Sequence, residues 1–535
     1  MTLSTADTPE TRPGTLLMGL VLAAMALGLA IRAWPVIAGQ PILSELFLTE
    51  DGYLMLTVAR NMAIGLGMSV SDGTIATNGI QPLATFLYTL PYLATDGDRV
   101  AGLAGVHLIM IAIGIGAALV IRALAARLLA PQGVWPTLLP WIVAGLWFLG
   151  PVLARHSMNG LETGLITLVM AAALLQVHRV IAAGPEATLA ARLALGALCG
   201  VCFLARIDAA LFCIILFAVW SADMLFRQRQ GIARTVVWLL PPGLLCLAIA
   251  APWLLNNLLN FGALMPISGP AQSLDAEIGQ NAILLPAKLF EYVFPMLPVP
   301  GSLEDNPAVA AALGLVVAGI VLSFFIAVLR RGTPAIRATV IVGLGQAAVL
   351  ATYYGVFFGA PHFLSRYLAP IAPLLIIAAL WVAIDLGRRL MPARPALLGL
   401  AYGFGGLALG AALMGRLLLP GAPEQGHAQV VAWVAENVPE DTWVGAVQTG
   451  TLGYWHARTI NLDGKVNPAA LDARRTDGHV LLYVVDSDID YIVDWAGVGN
   501  WVHLPVPDFA AAFELTLQDA EANLSVMRRR DAETP

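Results

Sequence analysis

Long apolar runs dominate the chain, each close to the roughly 20 residues that a helix needs to cross a bilayer. They cover residues 15–38, 100–121, 136–155, 161–178, 190–205, 208–226, 235–256, 307–329, 338–358, 366–385 and 396–418. About eleven transmembrane helices follow from this pattern, so the fold class is an α-helical polytopic membrane protein. Residues 82–94 are also apolar, but they are short and punctuated by Pro82 and Pro91. They predict a helix lying in the membrane interface. After Leu419 the pattern becomes short alternating runs between charged turns. His427–Val438 has helical periodicity and stops at Pro439. Trp443–Val447, Thr459–Ile460, Val480–Val485 and Tyr491–Trp495 read as strands. Residues 420–535 thus predict a small C-terminal α/β domain after a membrane domain over 15–419. Residues 1–14, rich in Thr and Pro, predict a disordered N-terminus.

Charge orients the helices. Basic residues sit in alternate connections: Arg122 and Arg127; Arg179 and Arg192; Arg227, Arg229 and Arg234; Arg330, Arg331 and Arg337; Arg388, Arg389 and Arg394. These connections are expected to be cytoplasmic, as is the N-terminus. The loops at 39–99 and 257–305 and the C-terminal domain are then extracytoplasmic, on the periplasmic side of a bacterial inner membrane. Arg32 departs from the rule and is expected to snorkel. The leader before residue 15 carries Asp7 and Glu10 and lacks a basic n-region, so the first run reads as a retained span.

Composition narrows the function. The chain is 58% hydrophobic and 12% charged, against about a quarter charged in soluble proteins. Its formal net charge is −6 and it has no basic tract, which argues against a nucleic-acid partner. Lysine occurs only at 288 and 465, so arginine supplies nearly all positive charge. The four cysteines lie in apolar runs and predict neither a disulfide framework nor a metal site. No nucleotide-binding, zinc-protease or serine-hydrolase motif is present.

Polar chemistry concentrates at the extracytoplasmic helix ends. Glu50 and Asp51 stand side by side after the first span; one carboxylate can take a proton while the other orients it or holds a cation. A solvated pair opening a helix is the bland alternative. Arg60 follows about two and a half turns later, placed for a phosphate, for Asp51 or for the interface. His156, Asn159 and Glu162 lie between the third and fourth spans, where Glu162 also suits a helix N-terminus. Arg206 and Asp208 form a turn that reads either as a neutralised pair or as a substrate contact. His362 and Arg366 open the tenth span, where a guanidinium suits a lipid-linked phosphate. Asp463 and Lys465, in the soluble domain, are placed to close the site from above.

Taken in order, these pieces resemble the GT-C superfamily of integral-membrane glycosyltransferases that use polyprenyl-phosphate sugars. Glu50-Asp51-Gly52-Tyr53 with Ala59-Arg60-Asn61 resembles the first external loop, which in that superfamily usually begins Asp-Asp. Asn78-Gly79-Ile80-Gln81-Pro82-Leu83 resembles the lead into the interfacial helix. Asn159-Gly160-Leu161-Glu162-Thr163, Leu204-Ala205-Arg206-Ile207-Asp208, Met265-Pro266-Ile267-Ser268-Gly269 and Ser365-Arg366-Tyr367-Leu368-Ala369-Pro370 also match. The tail resembles the external domain of arabinosyl- and mannosyl-type members.

The resemblance implies inverting transfer of a sugar from a polyprenyl-phosphate donor to an acceptor hydroxyl on a glycan, lipid or protein. Asp51 is expected to be the general base, with Glu50 as orienting partner or cation ligand. Arg366, His362, Arg60 and Arg206 are expected at the donor phosphate. His156, Asn159, Glu162, Asn78, Gln81, Asp208, Asp463 and Lys465 are expected around the substrates. Where relatives often carry a lysine after the Ser-Gly element, Gln272 stands here, which shifts phosphate binding towards arginine. The one cofactor candidate is a divalent cation (Mg²⁺, Mn²⁺ or Ca²⁺) on Glu50 and Asp51, and a metal-free base serves equally well. The alternatives are a ligase or polymerase of lipid-linked glycans, and a transporter, for which charges near the bilayer midplane would be expected.

Overall fold

The structure, a computed structural model, describes residues 12–418 and 426–530. Among the described residues, nine helices are long and apolar enough to cross a membrane: Gly14–Ala38, Arg99–Leu128, Thr163–Glu186, Ala209–Arg227, Ile232–Phe261, Pro307–Arg331, Pro334–Phe357, Pro361–Leu390 and Leu397–Leu418. The chain is thus a multi-pass membrane protein.

The other two apolar runs are helical but depart from a plain span. Leu138–Leu149 and Pro151–Ser157 meet at a bend of 67°. The bend falls at Gly150, whose backbone is extended (φ −60°, ψ 124°). Pro151 then starts a new helix where its missing N–H costs nothing. This kink delivers residues 156–162 to the site. Leu189–Ala205 has only 17 residues, about 25 Å of helix. It packs closely on Ile232–Phe261, because a Cβ at Gly196 would lie 2.2 Å from the Pro242 carbonyl oxygen. Small residues at such a crossing let two backbones approach where lipid gives no hydrophobic drive.

Pro82–Ala94 is a 13-residue helix, about 20 Å long and too short to span. Tyr88 and Tyr92 are buried while Phe86, Leu90 and Leu93 are exposed, so it shows one packed face and one apolar open face.

At the same end of the bundle as the first loop sits a five-stranded sheet. Its order is Thr459–Asn461, Val444–Ala446, Tyr491–Asp494, Leu524–Arg529, Phe513–Asp519. The first three strands are parallel and the last two pair antiparallel. The helix Ala428–Asn437 covers one face through Val430 and Val434.

Three sequence expectations need correction. Val480–Val485 is not a strand: Leu481–Val485 is a short helix. Its core contacts are Leu481 and Val484, 1% and 0% exposed, and this three-residue spacing overrides the strand preference of the side chains. The hairpin of Phe513–Asp519 and Leu524–Arg529 was absent from the strand pattern, because its first strand turns mostly polar residues outward. The loop expected from 257 begins at Gly262, which caps the preceding helix with φ 69°. The expected disordered N-terminus lies mostly outside the described residues, and 12–14 already belong to the first helix. The domain boundary near 419 also lies outside them.

Candidate active site

The helix Glu50–Ala63 carries the two adjacent carboxylates in its first turn. Thr49 caps it, accepting from the Gly52 N–H at 3.3 Å and donating to the Asn159 carbonyl at 3.1 Å. Gly52 lets this helix touch the 159–160 turn: a Cβ there would lie 2.1 Å from the Asn159 oxygen. Gly52→Ala is therefore expected to lower the thermal unfolding midpoint of the detergent-solubilised protein, at a cost of about 1–3 kcal/mol.

One residue apart on a helix, the two carboxylates diverge. Asp51 faces a cavity of about 630 Å³. Its Oδ2 accepts from Arg366 Nη1 at 3.0 Å and its Oδ1 from Lys465 Nζ at 3.2 Å. Lys465 also lies 3.2 Å from Asp463 Oδ2. Burial opposes ionisation of Asp51, but the charges of Lys465 and Arg366 outweigh it and hold its pKa below the ordinary carboxylate value. Burial likewise opposes the charge on Lys465, and Asp51 and Asp463 reverse that, pushing its pKa up.

Glu50 points the other way, into the C-terminal domain. Both its oxygens lie 3.1 Å from the Thr451 N–H. A Cβ at Gly450 would lie 1.8 Å from the Glu50 carbonyl oxygen. Gly79 makes a second seam, with a would-be Cβ 2.0 Å from the Lys465 oxygen. The first loop and the sheet domain thus meet through backbone contacts that admit no side chain. The two carboxylates do not converge on a common point, so the geometry does not present them as a shared cation site. No group of three or more potential His, Cys, Asp or Glu ligands occurs among the described residues.

The cavity also gathers Gln81, Glu162, Arg206 and Asp208. Glu162 is 2% exposed and makes no capping hydrogen bond to the helix it precedes. Arg206 grips Asp208 with two hydrogen bonds, at 2.8 and 2.7 Å, and donates to the Tyr367 carbonyl at 2.9 Å. Tyr354 donates to Asp208 at 2.7 Å and stacks flat on Tyr367 at 4.1 Å. The Arg206 pair therefore braces a wall that it also helps to line. Apolar residues complete the cavity, and its rim is lipophilic: Met265 is 56% exposed and Tyr353 41%.

The remaining candidates fall elsewhere. Arg60 donates to the Gly97 carbonyl at 2.7 Å and lines a separate cavity of about 180 Å³ with Arg99 and Tyr454. It is not beside Asp51. His156 lies behind the wall, 2.9 Å from Ser365 Oγ, which also contacts the Tyr292 hydroxyl. Asn159 and Asn78 are buried and hold loops: Asn159 accepts from the Leu161 N–H and Asn78 from the Ile267 N–H, each at 3.1 Å. His362 and Asp463 line a second cavity with Lys465.

Sequence reasoning singled out neither Gln272 nor Tyr367 for chemistry. Tyr367 accepts from Arg366 Nη2 at 3.2 Å and donates to Gln272 at 2.8 Å. Tyr367 lies within an element quoted for the resemblance, and Gln272 was noted only as standing where relatives often carry a lysine; these were the available signals.

Comparison with known proteins follows this geometry. Residues 420–530 match a family described as "Domain of unknown function (DUF8728)". No curated protein matches the chain by sequence. The whole chain is similar in structure to ArnT from Cupriavidus metallidurans in the apo state: TM-score 0.57 and 12% identity, over 95% of this chain and 97% of that one. It is similar to the same protein bound to undecaprenyl phosphate, with TM-score 0.55 and 13% identity over 97% and 98% of the two chains. The archaeal oligosaccharyltransferase AglB from Archaeoglobus fulgidus, in complex with an inhibitory peptide and a dolichol-phosphate, gives TM-score 0.56 and 10% identity over 97% of this chain and 75% of that one. These likenesses show the fold.

Proposed function

We propose, from the GT-C fold as premise, that this chain is an inverting glycosyltransferase that moves a sugar from a polyprenyl-phosphate donor to an acceptor hydroxyl, with Asp51 as general base. One observation carries the reading: Asp51, gripped by Arg366 and Lys465, lines a large and mostly apolar cavity that also includes the exposed Met265 and Tyr353. A donor with an apolar tail and a charged head matches that combination. The undecaprenyl phosphate held by the similar ArnT structure supports that class of donor.

The charges suggest an order of events. In the free enzyme each Asp51 oxygen is held by a cation, which makes the carboxylate a weak base. The donor phosphate competes for the same cations. As Arg366 and Lys465 turn to the phosphate, Asp51 regains basicity next to the bound donor. The acceptor oxygen then attacks the anomeric carbon from the side opposite the phosphate and its proton passes to Asp51. The carbon–oxygen bond to phosphate breaks, and the leaving polyprenyl phosphate carries the charge that the cations stabilise. Arg206 completes this positive wall. The alternation of basic connections supports an extracytoplasmic site.

A second reading, transfer of a whole lipid-linked glycan, is favoured by the similarity to the oligosaccharyltransferase AglB. Incubating purified protein in nanodiscs with radiolabelled polyprenyl-phosphate sugars tests both readings. Release of polyprenyl phosphate with a single transferred sugar is expected. Movement of lipid across vesicles, with no transfer from any donor, makes the protein a transporter instead. Run against pH, kcat/KM for the donor, which reports the free enzyme, has its acid limb below the ordinary Asp value of about 3.9. Lys465→Met removes a charge that lowers the Asp51 pKa, so it moves that limb upward.

A further inference from the structure

A second cavity, of about 470 Å³, meets the first at Gln272 and Lys465, which line both. Its volume falls in the range of small-molecule sites, about 300–1,000 Å³. Its walls come from the sheet domain on one side and from the 271–275 and 359–363 turns on the other. Like the first cavity it is lined mostly by apolar groups, and among them it sets the donors and acceptors of Gln448, Asp463, Arg474 and His479 beside the indole of Trp501. The Nδ1 of His479 is buried with no hydrogen-bond partner. Arg474 already pairs with Asp275 at 3.0 Å and with the Asp463 carbonyl at 2.7 Å, which fixes the polar wall.

We infer that this second cavity is the acceptor site, and that its ligand is the hydroxyl-rich end of a water-soluble glycan rather than a membrane lipid. A sugar ring presents an apolar C–H face and a polar rim. Trp501 suits the face, and the amide, imidazole and carboxylate groups suit the rim. An acceptor hydroxyl reaching Asp51 from here passes Lys465 Nζ, 3.2 Å from the Asp51 carboxylate. The assignment as acceptor site rests on the function proposed above; the affinity for sugar does not.

Saturation-transfer NMR of the full chain in nanodiscs tests it, with methyl glycosides of common pentoses and hexoses as probes. Binding of at least one glycoside is expected, weakened about tenfold by Trp501→Ala and by His479→Ala, each equivalent to some 1.4 kcal/mol. Tyr353→Ala, at the rim of the first cavity, leaves that binding unchanged. No binding of any glycoside overturns the inference, as does binding that neither cavity variant alters. Displacement of the glycoside by a short-chain phospholipid overturns the choice of a soluble glycan. Should glycoside binding follow expectation while no donor sugar is transferred, the proposed function fails and the sugar site stands.

Discussion

Asp51→Asn lowers the rate of sugar transfer by about 10²- to 10⁴-fold, the range ascribed to a positioned general base. The amide keeps the shape of the carboxylate but cannot take the acceptor proton. The variant is expected to stay folded, because both cations keep other partners. Lys465 retains Asp463 at 3.2 Å and Arg366 retains the Tyr367 hydroxyl at 3.2 Å. The loss falls on kcat, with donor KM unchanged or lower, since two freed cations meet the phosphate. Glu50→Gln is the comparison. Its carboxylate is spent on Thr451, so its effect appears in thermal stability and domain docking. Transfer undiminished in Asp51→Asn removes Asp51 as base.

Arg366→Lys costs about 10²- to 10³-fold in transfer, the magnitude seen when one preorganised donor to a developing anion is lost. Arg366 is 8% exposed, and its guanidinium carbon lies 4.5 Å from the Phe363 ring and 5.0 Å from that of Tyr367. This aromatic seat fixes the plane of the fork. Its Nε is buried without a partner, a donor left over for a phosphate oxygen. Lysine keeps the charge but loses the planar pair of N–H groups. Both kcat and donor KM should therefore worsen, measured with the same labelled donor. A variant with wild-type values for both would detach Arg366 from the phosphate.

The helices were legible because hydrophobic length is a local property. Every long apolar run became helix, and the run at 136–155 broke where Gly150 and Pro151 fall together. The site was legible in its parts but not in its pairings. Asp51 and Arg366 were visible as polar residues beside apolar runs, and Lys465 as one of only two lysines, in the soluble domain. That Lys465 reaches Asp51 across 414 residues of sequence follows only from packing. Arg60 shows the converse. Two and a half helical turns from Asp51 placed it correctly along the helix, but the helix turns it towards Gly97 and away from the cavity. The stacked Tyr354–Tyr367 pair escaped notice because buried aromatics carry no local mark distinguishing a cavity wall from ordinary core. Val480–Val485 misled because its six apolar residues fit either period.

The split of the charge cluster between the two ends of the chain bears on biosynthesis. Asp51 is made early and Lys465 follows 414 residues later, an interval of roughly 20–80 s at ordinary translation speeds. Until the last domain has folded onto the first loop, the carboxylate lacks one of its two counter-ions and the donor cavity lacks part of its wall. A chain stalled before Lys465 would, on the proposed mechanism, hold an incomplete site. On the proposed mechanism, translation and docking of the segment bearing Lys465 would then license the site.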